Sequence, residues 1–400
     1  MKKLLLTSAI VGVVAFSAAP AKADIQLGLG GHFKGYVTWD TQDNGTNTAH
    51  ERHLDIVRET ELQFTGETTL DNGLTVGFHS EMLANPTAQN SLTDQSSTAP
   101  NFGIQESYAY FAGNWGRVNF GAEDGAAFLL QVAAPSADSN YDGIRQYVNP
   151  LRHSFAPTGY TAISNRLDYA QDATGDHDKL TYITPVFSGF QAALSYTPTV
   201  NTAGNAGGAS GLNYTNPGAS NTFGVSQSNS VAAGVGAYGA AWEAAARYEG
   251  QFQAARVTLG GGYTTVNRDG TSTVAGLKDD QVYNLGANVG FNAFNVGVVY
   301  KHDNNGTSTA SGQGATKTWV GGVDYTTGPF VLGASYLDQK QDNFSALNDL
   351  HTKRYAGGVT YTYGPGMSFR GSIGHVSEKI QNATTSDKGT DLLLGTQIGF

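Results

Sequence analysis

Along most of the chain, polar and apolar side chains alternate with a period of two. Between Glu59 and Thr68, Glu59, Glu61, Gln63, Thr65 and Glu67 share one parity, and Thr60, Leu62, Phe64 and Gly66 share the other. Successive strand residues point to opposite faces, so this is a strand with one wet and one apolar side. The same alternation sets Phe33, Gly35, Val37 and Trp39 against Lys34, Tyr36, Thr38 and Asp40. It also sets Trp319, Gly321, Val323 and Tyr325 against Thr318, Gly322 and Asp324, and Val257, Leu259, Gly261 and Tyr263 against Arg256, Thr258, Gly260 and Gly262.

Tight and long connections take turns between these strands. Asp71-Asn72-Gly73, Asn114-Trp115-Gly116, Ser188-Gly189, Thr327-Gly328-Pro329 and Gly364-Pro365-Gly366 carry the Gly, Asn or Pro that a short hairpin needs, and further turns fall near Gly250 and Asn292. Polar segments rich in Asn, Thr, Ser and Gly separate them, at about 41–50, 86–101, 199–230, 267–278, 303–315, 341–352 and 380–389. Counting between these signals predicts about 16 strands, with the longest irregular segment, Gly125 to Asn165, after the fifth. Asn165 to Tyr169 reads as a strand opening that Gln171 to Asp178 interrupts, before Leu180 to Pro185 resumes it.

Short turns at one end and long loops at the other are expected of an antiparallel up-and-down sheet closed into a transmembrane barrel. Closure is required there, because a free sheet edge in hydrocarbon leaves N–H and C=O groups unpaired at several kcal/mol each. A water-soluble sandwich or solenoid would turn its apolar set inward. A ring of about 16 strands is wide enough to hold water, so Glu61, Glu81 and Glu243 are expected on a wet inner face. Trp39, Trp115, Trp319, Tyr108, Tyr110, Tyr325, Tyr361 and Tyr363 lie near strand ends, where interfacial girdles sit.

Composition narrows the classes. Among 400 residues there are 52 Gly and no Cys, which excludes disulfides, Cys-based metal sites and a thiol nucleophile. The formal charge of −10 argues against nucleic acid as a partner. Lys2 and Lys3, the apolar run Leu4 to Ala15 and Ala21-Lys22-Ala23 predict a cleaved secretory signal over residues 1–23, leaving 24–400 as the barrel. The apolar run is too short for a spanning helix. Without Lys2, Lys3 and Lys22 the remainder has 20 Lys+Arg against 33 Asp+Glu, a charge of −13.

From Asp24 to Phe400 the chain resembles the general diffusion porins of Gram-negative outer membranes, most closely the Gly-rich porins of alphaproteobacteria. The resemblance rests on Ile25-Gln26-Leu27-Gly28-Leu29-Gly30-Gly31, the hairpin Glu59 to Phe78, Asn114-Trp115-Gly116-Arg117-Val118, Pro185 to Gln191, and an apolar last strand ending in Phe400. It implies a homotrimer in the outer membrane, joined through the first strands, among lipid and lipopolysaccharide. Phe400 would be the signal read by the barrel-assembly machinery. The third long loop would fold inward as a pore constriction, with Glu123, Asp124, Asp138 and Asp142 as its acids. Lys34 is then the clearest facing cation by parity, followed by Arg58, Arg145 and Arg152, with Arg52 and Arg166 as further positions. Strict alternation turns Arg58 toward lipid, unless a bulge reverses it.

Other chemistry is thinly supported. His50 and His53 sit on a polar loop with no helix to align them. His79 and Ser80 are adjacent in a strand and point to opposite faces, so they cannot share a proton. Asp138, Ser139, Asn140 and Asp142 could bind Ca²⁺ but lack the spacing of a calcium loop; no other cofactor is expected. The glycines at 204–211 and 260–262 precede neither a helix nor a lysine, so they make no phosphate cradle. The expectation is a passive channel for small hydrophilic solutes and ions, mildly cation-selective and not an enzyme. The alternatives are a non-conducting barrel serving as adhesin or anchor, and a solute-specific channel.

Overall fold

The computed structural model describes residues 25–42, 53–85, 101–148, 167, 169–200, 238–268, 278–306, 313–343, 349–382 and 386–400. The strands are β1 (Gln26–Gln42), β2 (Leu54–Thr69), β3 (Thr75–Asn85), β4 (Asn101–Gly113), β5 (Gly116–Ala122), β6 (Asp178–Ile183), β7 (Phe190–Thr197) and β8 (Tyr238–Phe252). They continue as β9 (Ala255–Arg268), β10 (Asp280–Phe291), β11 (Phe294–Asp303), β12 (Gln313–Thr327), β13 (Phe330–Asn343), β14 (Leu350–Gly364), β15 (Met367–Ile380) and β16 (Asp387–Gly399). Each pairs antiparallel with its neighbours in sequence, and β16 returns to β1, so the sheet closes with no edge. Phe400 completes the seam: its N–H donates to Gly31 O at 3.1 Å, and Gly31 N–H donates to Phe400 O at 3.0 Å.

The alternation read from the sequence is the alternation of the wall. Lys34, Thr38, Asp40, Glu59, Glu61 and Glu243 are buried on the inside, while Leu27, Ile56, Leu285, Phe294 and Leu394 are exposed on the outside. Aromatic rings form two outer rows. Tyr196–Trp242, Tyr300–Trp319 and Tyr336–Tyr355 pack toward the long-loop end, with centroids 4.5–4.9 Å apart. Phe190–Tyr248, Phe294–Tyr325 and Phe330–Tyr361 pack toward the short-turn end. Such rows suit the two interfaces of a bilayer. Tyr108 and Tyr110 are not among them. Their register opposite His79 and Gly77 puts them on the inner face, where Tyr110 OH donates to Glu67 at 2.5 Å.

Between β5 and β6 the chain enters the barrel. It holds two single-turn helices, α1 (Ala126–Leu129) and α2 (Ser139–Asp142), and returns through Leu167 and Tyr169 to Thr174. Leu167 and Tyr169 therefore belong to the loop, and β6 begins at Asp178. The return leg packs into an apolar cluster of Ala134, Leu167, Tyr169, Val299, Val320, Leu337 and Val376. An apolar core inside a wet barrel follows from this: the strand residues point inward at the loop, not at water.

Candidate functional site

The loop is held to the wall by donors and acceptors at every stage of its path. At its root Glu243 on β8 accepts from Ala127 N at 3.0 Å and from Thr174 Oγ1 at 2.7 Å, so one carboxylate grips both legs. The Gln131 side chain joins the legs to each other, donating to Tyr169 O at 2.8 Å and accepting from Gln171 N at 2.9 Å. Gln171 in turn donates to Thr264 Oγ1 and Val282 O, and Lys301 donates to Ala170 O. At the far end Asp138 accepts from Arg370 Nη1 at 2.7 Å, Tyr36 OH at 3.0 Å and Ser372 Oγ at 3.2 Å. Asp142 accepts from Ser335 Oγ at 2.6 Å, and the fully buried Arg354 donates to the carbonyls of Leu167 and Tyr141.

Asp138 and Asp142, expected to face the passage, are thus spent on docking the loop. Burial lifts the Asp142 carboxyl above its usual range, against the pull of Arg354. Glu123 is likewise buried, accepting from Asn119 Nδ2 at 2.6 Å, while its carbonyl accepts from Lys179 Nζ. Arg145 is not a wall cation. It sits on the loop and bridges Asp124 at 3.1 Å and Asp172 at 2.6 Å, tying the start of the loop to its end. Arg58 is displaced from the expected site altogether. The β1–β2 register runs unbroken from Lys34↔Glu59 through Gly35↔Arg58 to Val37↔Ile56, so no bulge turns Arg58 inward and it lies on the outer face with Ile56 and Leu62. Arg152, Arg52 and Arg166, with His50 and residues 1–23, lie outside the described residues. Phe400 ends the chain on the outer side of the seam, 57% exposed.

Lys34 faces inward as parity predicts, but its partner is on the neighbouring strand. It donates to Glu59 Oε1 at 2.9 Å, with Nζ 3.3 Å from the centroid of Tyr147. From this pair a continuous chain of polar side chains crosses three strands. His32 Nε2 lies 3.0 Å from Glu59 and its Nδ1 3.6 Å from Glu61; Gln63 donates to Glu61 at 2.7 Å and to Glu81 at 3.0 Å; His79 Nε2 lies 2.8 Å from Glu81. Oxygen and nitrogen atoms of His79, Glu81 and Glu106 lie within 4.8 Å of one another, as do carboxylate oxygens of Glu106, Asp124 and Asp176. The acids therefore form an arc from β2 through β4 to the loop root. Asp176, half-buried and beside Asp172, has its carboxyl pushed up to about 6 by desolvation and by that neighbour's charge. The parity of Glu59, Glu61 and Glu81 was visible in the sequence, whereas Glu106 and Asp176, beside a bulge and in an aperiodic segment, gave no such signal.

The comparison with known proteins decides the family. The model for Gram-negative porins matches residues 7–385. The chain belongs to the Gram-negative porin family. This porin is a multi-pass β-barrel of the outer membrane. Among solved structures, the anion-selective porin from Comamonas acidovorans superposes with a TM-score of 0.56 at 15% identity, covering 94% of this chain and 100% of that one. A variant of the Rh. blastica porin gives 0.52 at 17% identity, again over 94% and 100%. An uncharacterized protein of Rickettsia felis is 26% identical over 239 residues, 51% of this chain and 50% of its own length. One from Rickettsia typhi is 26% identical over 230 residues with the same coverage. The porin spans about half the length of the curated relatives it matches.

Proposed function

We propose that this porin is a passive channel for small hydrophilic solutes and ions that prefers cations, and that its passage runs between the acidic arc and the docked loop. The arc carries the reading. Glu59, Glu61, Glu81 and Glu106 from the wall and Glu123, Asp124, Asp172 and Asp176 from the loop outnumber Lys34, Arg117, Arg145 and Lys179 beside them, eight to four among the described residues. Carboxylates concentrated in a narrow aqueous passage raise the local cation concentration and exclude anions. Liposome swelling tests the channel itself. Vesicles holding the refolded porin are expected to admit neutral sugars at rates that fall with solute size, and vesicles that admit none would refute it.

A homotrimer belongs to the same proposal. Arg58 supports it, since a guanidinium on the outer face amid Ile56, Leu62 and Phe64 costs about 2–4 kcal/mol against lipid at mid-depth and far less against protein. Light scattering on detergent-solubilised Arg58→Glu is expected to shift mass from trimer to monomer. An unchanged trimer would remove Arg58 from the subunit contact.

A further inference from the structure

The outgoing leg of the loop does not merely touch the wall; it lies in a track that the wall leaves for it. Three pairs of directly opposed glycines cross the inner face: Gly260↔Gly286 between β9 and β10, Gly297↔Gly322 between β11 and β12, and Gly333↔Gly358 between β13 and β14. A Cβ at Gly260 would stand 2.6 Å from Val132 Cγ2, and one at Gly286 would stand 2.8 Å from Val132 Cβ. At Gly297 it would meet the Asn288 side chain of the neighbouring strand first and Pro135 Cδ at 2.8 Å, at Gly322 the Pro135 carbonyl oxygen, and at Gly333 the Ala137 nitrogen at 2.5 Å, whereas at Gly358 it would meet the wall's own Gly371 carbonyl. These φ angles are not left-handed, so backbone conformation does not demand glycine. Space does.

The spacing of the loop matches the spacing of the pairs. Val132 to Pro135 is three residues, about 10 Å of extended chain, and the first pair lies two strands from the second, about 9.6 Å at the usual separation. The loop runs across the strands in step with the glycines. Side chains from the same strands fasten it at that depth: Asn288 Nδ2 donates to Ala133 O at 2.8 Å, and Thr360 Oγ1 donates to Ala137 O at 2.6 Å.

We propose that the glycine track on β9–β13 sets the width of the passage, by fixing how deeply the loop seats in the wall opposite the acidic arc. This rests on the channel reading. The glycines touch no solute; they act as positioning residues for the loop. Any side chain there lifts the loop off the wall toward Glu61 and Glu81 and narrows the space between.

Single-channel conductance in planar bilayers tests this, with folding checked by the heat-modifiable migration of the barrel on gels. Gly260→Ala must move Val132 by about 1 Å to reach an ordinary carbon contact. A loss of conductance on the order of tens of per cent is expected, since pore conduction is set at the narrowest section. Val132→Ala removes the colliding methyl, so Gly260→Ala/Val132→Ala is expected to conduct like Val132→Ala alone. Gly322→Ala, against a loop carbonyl, is expected to lose more. Gly321→Ala, on the outer face of the same strand with nothing within 4 Å, is the control and should match the wild type. Should Gly322→Ala fail to fold, the Gly260 and Val132 series still decides. Wild-type conductance in folded Gly260→Ala, or an equal deficit with and without Val132→Ala, would overturn the track. A wild-type porin that never conducts would instead overturn the channel reading.

Discussion

Asp138 shows how a residue of the right type in the right segment can do a different job from the one its position suggests. It is an acid on the inward loop, as the sequence indicates, yet Arg370, Tyr36 and Ser372 consume its oxygens. Those partners lie on strands more than 100 residues away in one direction and 200 in the other, and nothing local announces them. Lys34, Glu61 and Glu81 were legible because strand parity fixes a face without knowledge of any partner. Arg58 obeys the same parity, and only an unseen bulge could have made it a pore cation. Asp176 carries the prediction at this scale. Its carboxyl, held at about 6 by burial and by Asp172, is charged above that pH and neutral below it. Cation preference is therefore expected to weaken as pH falls from 7 to 5, well before ordinary carboxylates near 4 are protonated. Asp176→Asn should shrink that step in a reversal-potential titration, the Asp124 carboxyl beside it, also pushed up by burial, supplying the rest. A step of unchanged size in the variant would assign it elsewhere.

The loop is the element that the sequence could least describe, since it has no period, and two four-residue helices leave no hydrophobic repeat to find. Its seat on the wall did leave a trace. Val299, Val320, Leu337 and Val376 are apolar residues on the wet parity of β11, β12, β13 and β15, and the glycine pairs lie on the same face. Apolar or absent side chains on a face that is polar elsewhere mark where protein, not water, lies against the wall. Tyr169 is the keystone of that contact, fully buried among those strands with its hydroxyl accepting from Ala134 N at 3.0 Å. Removing a buried aromatic costs about 3–5 kcal/mol, and here the loss falls on the seating of the loop. Tyr169→Ala is expected to speed amide hydrogen exchange over residues 126–148 while the strands keep their protection. Unchanged exchange there would show that the polar clamps alone hold the loop.

At the scale of the whole molecule, strand count, closure and the two aromatic rows follow from period-two alternation, alternating turn lengths and the need to satisfy every backbone group in lipid. The start of the sixth strand was the exception: Leu167 and Tyr169 alternate like strand residues but pack inward against β11–β15 as part of the loop. The barrel is lopsided as a result. One side of its interior is filled by a docked loop, and the other, together with the loop's root, carries the acidic arc. The most direct test is the zero-current potential of the reconstituted porin under a KCl gradient at pH 7. The acidic arc predicts conduction with the dilute side positive, as cations cross faster than anions. A potential of the opposite sign would show that the arc does not govern permeation, and would contradict the account.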